Sequence, residues 1–475
     1  MIKRTQDVSM QRQRVLFVRA LVALTLLFFS TTLMNTVEFP RFDGLFPYAR
    51  DLFVGATSCT FIAIALINSF APRFIRAEIN DVVAIILTLA GTLLLEVGLA
   101  YGSLLALVVG ACCVAAGKAW MTVVVGLACS VMDVRHISLC TIFALLASRA
   151  LSVVFSFAPG SPVGLVLFYG LLPAAFFLVR SIPQGIFEHA RTSDAPVDLA
   201  LTNPSSFLPF ASQVFVCILL MQTAFGFSLR FGPVEGGFLN DVFSLFPLIV
   251  VALWVVGERG KYAADALTYL SVLLVVAGFL AVMISGSEFI FVGGNLLSVG
   301  SLLFEAVVWT LLLAVASRNE LGAISVISWG RGLGGVGSIA GAALAGLAGD
   351  IAGKNSTGAL VLIALVIMVI VAYALVGLRH FSFEAAIAGT VPVAEGAPRT
   401  HEEDFAQACD KLVECYGLTP REREVFELLA KGRNRRYIQE KLVVSRDTVK
   451  AHVKHVYTKL DIHSHQELLD LFEEG

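Results

Sequence analysis

The sequence predicts an all-α protein: a polytopic membrane helix bundle of about twelve transmembrane helices, six plus six, followed by a small C-terminal domain of four helices. Three observations predict this class. The 475 residues are 57% hydrophobic and only 15% charged, with a mean hydropathy of +0.82, whereas soluble domains average about one quarter charged residues. Apolar windows of about 20 residues, the length that crosses a bilayer, recur as far as Leu378. Beyond Leu378 these windows stop, and the remaining sequence has the composition of a soluble domain.

Twelve apolar windows define the predicted membrane helices. Gly102 and Ser103 alone separate the third window from the fourth, so a count of eleven helices remains open. The longest loop between windows, 181–206, contains three prolines and divides the windows six and six. The approximate bounds are 15–37, 51–70, 82–101, 103–130, 137–158, 162–180, 207–228, 240–257, 262–285, 290–316, 323–348 and 358–378.

The distribution of positive charge predicts the orientation, because cytoplasmic loops of membrane proteins are enriched in Lys and Arg. With the N-terminus inside, fourteen Lys and Arg residues lie on the cytoplasmic side and four on the other side. The four are Arg41, Arg50, Arg230 and Lys354. We therefore expect a multi-pass protein of the cell (cytoplasmic) membrane with both termini in the cytoplasm, which requires an even number of helices.

Two groups of six helices joined by a long cytoplasmic loop resemble the major facilitator superfamily over roughly residues 15–380. The resemblance implies a ligand site near the bilayer midplane between the two halves. The loop after the second window, residues 71–76, lacks the Gly/Asp/Arg/Gly/Arg/Lys signature that is typical of transporters in the superfamily. This departure argues against active transport more than against the fold.

Three regions are predicted along the chain. Residues 1–380 are predicted to form the polytopic membrane domain and to act as the sensor. Residues 381–403 contain Gly389, Pro392, Gly396 and Pro398 without an apolar period, which is typical of a flexible linker. Residues 404–475 form a soluble helical domain, in which 404–416 has the apolar spacing of an amphipathic lead-in helix.

Start and stop residues predict the helices of the C-terminal domain. Thr419 is a suitable N-cap, with Pro420 at the first helical position and Glu422 three residues after the cap. Gly432 ends this helix. Asn434 can cap a second helix that reaches about Leu442, and the predicted third helix runs from a Ser445 cap to Leu460. A last helix spans about 464–472.

The third helix of this domain has two distinct faces. Val449, Val453, Val456 and Leu460 recur at helical spacing and are predicted to pack in the core. A cationic stripe of Arg446, Lys450 and Lys454, spaced by four, lies on another face. From Thr419 to Asp461 there are eleven Lys or Arg residues against six Asp or Glu, so a polyanion is the expected partner.

The segment from Leu418 to Leu471 resembles the DNA-binding domain of LuxR-type regulators. The residues that match the family pattern in register are Leu418, Thr419, Pro420, Arg421, Glu422, Leu428, Leu429, Ala430, Gly432, Ile438, Leu442, Ser445, Thr448, Val449, Lys450, His452, Tyr457, Lys459, Leu460, Glu467 and Leu468. The resemblance implies a helix-turn-helix that binds double-stranded DNA, often as a homodimer through the last helix.

The resemblance also implies which residues contact DNA. Positions Lys450, Ala451 and Lys454 face the major groove, with Arg446 in the same stripe, and Thr448 lies near the DNA backbone. Four further cationic residues are predicted to contact phosphates, which positions the domain without reading sequence. They are Arg435, Arg436, Lys441 and Lys459.

Ionisable residues inside the membrane windows are costly and therefore mark candidate sites. Glu305 and Arg331 fall at similar depth on consecutive helices, which favours a structural ion pair over a gating role. Lys118 and Arg149 lie near the midplane, and Glu96 is roughly 15 Å from the depth of Lys118, too far to pair. An anionic ligand, a water-filled cavity or helix C-terminal carbonyls can each accommodate Lys118 and Arg149. We take Lys118, Arg149, Glu305 and Arg331 as the candidate ligand site.

The eleventh window is rich in glycine, and the pair Gly337 and Gly341 predicts close approach of another helix. No GK[ST] sequence follows, which excludes a phosphate-binding P-loop. Catalytic motifs and metal-ligand spacings are also missing from the sequence, so it favours neither an enzyme nor a cofactor or metal site.

These observations together predict a membrane-bound one-component transcription regulator. The bundle senses a small molecule or a membrane state, and the C-terminal domain binds a promoter; no receiver domain precedes that domain in this sequence. The alternative is a transporter of the major-facilitator type that carries a regulatory DNA-binding appendage. Net flux of the ligand distinguishes the two, because a sensor requires none.

Overall fold

The computed structural model describes residues 2–42, 44–156, 162–192, 213–231, 238–257, 264–284, 287–318, 320–354, 356–376, 416–430, 439, 442 and 446–460. The described residues contain helices and no strands. The chain divides into two compact units, Met1–Val393 and Ala394–Gly475, which we call the membrane unit and the C-terminal unit. The predicted linker, the lead-in helix and the last helix lie outside the described residues.

The first half of the membrane unit contains six long helices. They are α1 (Ile2–Leu33), α2 (Ala49–Phe70), α3 (Ala77–Tyr101), α4 (Leu104–Ser130), α5 (Val134–Phe155) and α6 (Pro162–Val179). After Leu33 the chain continues through a π-helical turn, Met34–Glu38, and a 3₁₀ turn, Phe39–Phe42.

The second half follows a short helix, α7 (Gln184–Thr192), which falls inside the segment that the sequence predicted as a loop. Ile186 and Phe187 of α7 are buried, and Phe187 stacks on Trp120 with the ring centroids 5.4 Å apart. These apolar contacts explain a helix within an otherwise polar connection. The six long helices of this half are α8 (Gln213–Phe231), α9 (Phe238–Gly257), α10 (Ala264–Met283), α11 (Ser287–Arg318), α12 (Glu320–Lys354) and α13 (Ser356–Val376).

Each predicted membrane window coincides with one of these twelve long helices. The third and fourth windows form separate helices because Gly102 adopts a left-handed conformation, φ +66°, and Ser103 caps α4 by accepting from the Ala106 amide. Within the described residues, seven helices are long and apolar enough to cross a membrane. Four further apolar stretches are shorter, one in α6 and three in the second half. The number of crossings therefore stays a prediction, while the polytopic all-helical architecture is confirmed.

Helix α12 packs closely against helices on two sides. Gly337 and Gly341 lie against the backbone of α8, at the carbonyls of Leu219 and Thr223, and Gly335 lies against Ser58 of α2. Because the glycines carry no side chain, the backbones approach each other directly. The predicted role of the Gly337 and Gly341 pair in close packing is confirmed.

The described part of the C-terminal unit contains α14 (Pro420–Ala430) and α15 (Arg446–Leu460). The two helices share one apolar core, in which Phe426 and Val456 are fully buried. Gln439 and Leu442 are helical, which agrees with the predicted second helix, but its other residues lie outside the described part.

Candidate functional site

A capping box fixes the start of α14. The amide and hydroxyl of Thr419 both donate to Glu422 Oε2, at 2.8 and 2.9 Å, and the Glu422 amide lies 3.4 Å from Thr419 Oγ1. Pro420 is the first residue of the helix. The capping box that the sequence predicts is therefore confirmed.

Lys459, near the end of α15, binds this cap. Its ammonium group donates to Glu422 Oε2 at 2.7 Å and to the carbonyl of Gly417 at 2.9 Å. Hydrogen bonds from Lys459 and from the Thr419 amide lower the pKa of Glu422 from 4.5 to about 2. Because the folded form favours the ionised carboxylate, this carboxylate stabilises the domain above about pH 4.5, and the stabilisation is lost as the pH falls towards 2. The phosphate contact predicted for Lys459 stays a prediction; in the free chain this side chain joins α14 to α15.

Helix α15 has one buried apolar face and one exposed face, as the sequence predicts. Val449, Val453, Val456 and Leu460 are buried and pack on the apolar residues of α14. The residues implied to face DNA are exposed on the other side: Thr448, Lys450, Ala451 and Lys454. The fourth cationic position, Arg446, is the first residue of α15, but its side chain lies outside the described residues, as do Arg435, Arg436 and Lys441.

The membrane unit contains a cavity of about 240 Å³ between its two halves, with charged side chains in its wall. Helices α1, α2, α4 and α5 contribute to its wall from the first half, and α8, α9, α11 and α12 from the second half. The four residues that the sequence singled out as a ligand site all line this one cavity: Lys118, Arg149, Glu305 and Arg331.

Glu305 is the central acceptor of the cavity wall. Arg331 Nη1 donates to its Oε1 at 2.6 Å, which confirms the predicted ion pair between consecutive long helices. Trp309 Nε1 also donates to Oε1, at 2.9 Å, and Gln222 Nε2 donates to Oε2 at 3.0 Å. Both oxygens are thus occupied by donors, as a carboxylate at this depth requires.

Two cations of the cavity retain capacity for a further acceptor. Arg331 stacks over the Trp309 ring at 4.9 Å, and its Nε is buried with no hydrogen-bond partner among the described residues. The Lys118 ammonium contacts Thr31 Oγ1 at 3.3 Å and Met34 Sδ at 3.6 Å, and it lies 5.7 Å from the centre of the Phe53 ring. Among the described residues no carboxylate forms an ion pair with Lys118. These neighbours solvate a cation weakly compared with a carboxylate.

The charge of the cavity wall is strongly positive. Among the described residues that line it, the charged side chains are Arg50, Lys118, Arg149, Arg331 and Glu305. Sequence reasoning missed Arg50, which it assigned to an outside loop, and it also missed Gln222 and Trp309. A polar Gln inside an apolar window was the available signal for Gln222, since such residues usually face the bundle interior.

Glu96 does not belong to the cavity wall. Both of its carboxylate oxygens accept from the Arg41 guanidinium, at 2.8 and 2.9 Å. The prediction that Glu96 does not pair with Lys118 is therefore confirmed, and its partner comes from the segment after the π-helical turn.

Comparison with known proteins assigns the C-terminal unit. Residues 417–472 match the family described as "Bacterial regulatory proteins, luxR family" (GerE). Over 53 residues the chain is 49% identical to the oxygen regulatory protein NreC of Staphylococcus haemolyticus and 47% identical to that of Staphylococcus epidermidis. Each match covers 11% of this chain and 24% of the relative, so the chain spans about a quarter of the length of these relatives.

Solved structures resemble the rest of the chain. A bacterial homologue of the iron transporter ferroportin in the outward-facing state superposes with a TM-score of 0.53 at 15% identity, covering 76% of this chain and 99% of that chain. The same protein soaked with iron gives a TM-score of 0.52 at 15% identity, with coverages of 75% and 99%. At this identity the likeness shows the fold of the membrane unit alone.

The chain thus combines a LuxR-type domain with an all-helical membrane unit. Residues 417–472 are a LuxR-type helix-turn-helix, a DNA-binding domain of transcription regulators, and the helices that precede them have a fold like that of the bacterial ferroportin homologue.

Proposed function

We propose that this protein is a membrane-bound one-component transcription regulator, in which occupancy of the membrane cavity controls DNA binding by the C-terminal domain. The observation that carries the proposal is the cationic cavity of the membrane unit on the same chain as a LuxR-type domain. A receptor needs a concave site in which a few polar groups fix the orientation of the ligand, and the charged side chains of the cavity wall supply such groups. Neither unit offers a reason to propose an enzymatic reaction.

The ligand that we propose is a small anion. Four cationic residues and one carboxylate line the cavity, and the buried Arg331 Nε faces no acceptor among the described residues. Lys118 has no carboxylate partner among the described residues, and an uncompensated cation in the middle of a membrane costs at least about 2.5–3.5 kcal/mol on insertion scales, so an anion bound beside it is stabilised. Entry of the anion between the halves would then favour one arrangement of the halves over another.

The proposed arrangement on DNA is a homodimer in the cytoplasm. In this arrangement the chain spans the cell membrane and both termini lie in the cytoplasm. The exposed Lys450 and Lys454 enter the major groove. The last helix, about 464–472, joins two copies through Leu468, Leu469 and Leu471. Arg435, Arg436 and Lys441 contact phosphates on either side of the groove.

Transport by the membrane unit is the second candidate. It is favoured by a cavity that both halves line equally, within a fold shared with a homologue of an iron transporter. A metal cation is a poor cargo for this cavity, because its wall is cationic and no cluster of three His, Cys, Asp or Glu occurs among the described residues. A carried anion fits the wall as well as a sensed one does.

Replacing the two cations Lys118 and Arg149 singly with Met tests the proposal. Chromatin immunoprecipitation first identifies a promoter that the chain binds in cells. Transcription from that promoter is then measured in the presence of each of a panel of small carboxylates and organic phosphates. The compound that changes output in wild type is expected to have no effect in either variant, at normal membrane levels. Arg76→Met, which removes an exposed cation at the start of α3, is the matched control and keeps the response.

Full response in both Met variants, or a cationic inducer, contradicts the proposed site. Net uptake of the same compound is measured in the same cells. Uptake that depends on the chain favours the transporter, whereas a transcriptional response without uptake favours the sensor.

A further inference from the structure

Four polar side chains form a second cluster, apart from the cavity, at the end of the π-helical turn and the 3₁₀ turn that follows it. We call Glu38, Arg41, Glu96 and Tyr169 the Glu38 cluster. Arg41 Nη1 donates to Glu38 Oε2 at 3.0 Å and to Glu96 Oε1 at 2.8 Å, and its Nη2 donates to Glu96 Oε2 at 2.9 Å. The Tyr169 hydroxyl oxygen lies 2.9 Å from Glu38 Oε1 and 2.8 Å from Glu96 Oε1.

The hydrogens of this cluster can be counted. Three N–H groups of Arg41 account for its three contacts with carboxylate oxygens. The two contacts of Tyr169 with carboxylate oxygens are each of hydrogen-bond length and each requires a hydrogen between the oxygens, but a tyrosine hydroxyl supplies one. The one hydrogen of the Tyr169 hydroxyl fills one contact, and a proton on one of the two carboxyl groups, Glu38 or Glu96, fills the other.

The surroundings decide which carboxyl carries this hydrogen. Glu96 accepts a bidentate pair of hydrogen bonds from Arg41, which favours the ionised form. Glu38 accepts one hydrogen bond from Arg41 and is 3% exposed, which favours the neutral form. The hydrogen-bond chain then runs from Glu38 Oε1 to the Tyr169 hydroxyl and from that hydroxyl to Glu96 Oε1.

No other described charge faces Glu38. The residues that line the small cavity beside it are apolar and come from the 3₁₀ turn, the loop after it, α2, α3 and α4: Phe39, Phe42, Phe46, Ala49, Phe53, Leu95, Leu107 and Ala111. The titratable groups in contact with it are Arg41 and Tyr169, with Glu96 beyond the hydroxyl. One guanidinium is thus shared between two carboxyl groups, and ionising both would leave an excess negative charge beside a buried apolar wall.

We propose that Glu38 is a proton-binding site of the membrane unit, loaded from the solvent through Glu96 and Tyr169. In the loaded state the proton is bonded to Glu38 Oε1 and directed at the Tyr169 oxygen. On release, the Tyr169 proton moves to Glu96 or to water and the Glu38 proton replaces it on the tyrosine, so that the number of protons is conserved. The charge bias of the sequence predicts that this end of the bundle faces the outside, and the site then reports the acidity of that compartment. This inference goes beyond the proposed function and does not depend on it.

Infrared difference spectroscopy of the purified full chain tests the site. The titration runs from mildly acidic to alkaline buffer, and the signal is the C=O stretch of a protonated carboxyl group. We expect this band in wild type, its disappearance on alkalinisation, and its complete loss in Glu38→Gln. Glu78→Gln, which neutralises an exposed carboxyl in the first turn of α3, is the control and leaves the band unchanged.

The absence of a titrating carboxyl band in wild type overturns the proposal, as does a band that persists in Glu38→Gln. If Glu38→Gln does not fold, Tyr169→Phe decides in its place. This variant removes the oxygen that accepts the proton's hydrogen bond, so the wild-type band must shift or vanish. An unshifted band in Tyr169→Phe overturns the proposal.

Discussion

Lys450 and Lys454 lie one turn apart on the exposed face of α15, whereas the neighbouring Val449 and Val453 are buried. The buried valines hold the helix on the core of the domain and thereby fix the direction in which the lysines project. Lysine side chains placed in the major groove can donate hydrogen bonds to the acceptor atoms of base edges. Sequence recognition is therefore expected to depend on these two residues.

Lys450→Ala and Lys454→Ala are each expected to weaken binding to the cognate promoter by about 1–3 kcal/mol, roughly 5- to 150-fold, with much less effect on unrelated DNA. Binding is measured by fluorescence anisotropy with the C-terminal unit, Ala394–Gly475, on both DNAs at a fixed salt concentration.

Arg421→Ala is the matched control, since it removes an exposed cation of α14 that pairs with Glu424 and leaves α15 intact. Unchanged promoter affinity after both lysine substitutions would show that α15 is not the recognition helix.

The residue scale also shows which site residues a sequence can identify. The two faces of α15 follow from helical periodicity, because one short helix on one core has a defined buried side. In the membrane unit, depth along a helix predicts that Glu305 and Arg331 are level. It does not predict Arg50 or Gln222, because their place in the wall depends on the rotation of α2 and α8 about their axes. The pairing of Arg41 with Glu96, 55 positions apart, depends on the packing of the whole half.

At the scale of the element, the π-helical turn was not predictable from the sequence. Met34, its first residue, contacts Lys118 in the cavity, and Glu38, its last residue, joins the Glu38 cluster. An apolar window predicts a membrane helix, but the choice between α- and π-type hydrogen bonding depends on local packing, and π-type turns often occur at functional sites. The sequence analysis also missed helix α7. It has only nine residues, and two apolar residues among polar neighbours are too few to define a helical periodicity.

Close packing of α12 yields a prediction for that helix. A Cβ on Gly341 would overlap the carbonyl oxygen of Thr223 and come within 2.6 Å of the Phe227 amide nitrogen, both in the backbone of α8. Gly341→Ala is therefore expected to destabilise the membrane unit, by about 1–3 kcal/mol as for other overpacked sites. The apparent Tm of the detergent-purified chain measures the effect.

Gly346→Ala on the same helix is the control, because a Cβ at that position meets nothing within 4 Å. The Gly346→Ala variant gains helix propensity, because alanine favours a helix more than glycine does, and its Cβ does not overlap another helix. Its Tm should therefore equal or exceed that of wild type. Equal Tm values for the two variants would contradict the close approach of α8 and α12.

At the scale of the whole molecule, composition was sufficient to distinguish the two units. The change after Leu378 separates a chain segment suited to lipid from one suited to water and DNA. About fifty residues match the LuxR pattern in register, and this match was sufficient to assign the C-terminal unit. The match of residues 417–472 to the luxR family supports the assignment. The six-plus-six arrangement predicts a cavity between the halves. The size and charge of the cavity could be determined only from the packing of the helices.

The orientation of the chain in the membrane gives the last prediction. A DNA-binding domain acts only in the cytoplasm, and the fourteen-to-four distribution of Lys and Arg predicts that both termini lie there. An alkaline phosphatase reporter, active outside the cytoplasm, fused after Gly475 is expected to be inactive, and a fluorescent protein at the same position is expected to be bright. Fusion after Pro233, in the connection between α8 and α9, is the control, because the same charge count places it on the opposite side. Phosphatase activity from the Gly475 fusion would place the C-terminal unit outside and exclude the regulator, since Lys450 and Lys454 could then not reach a promoter.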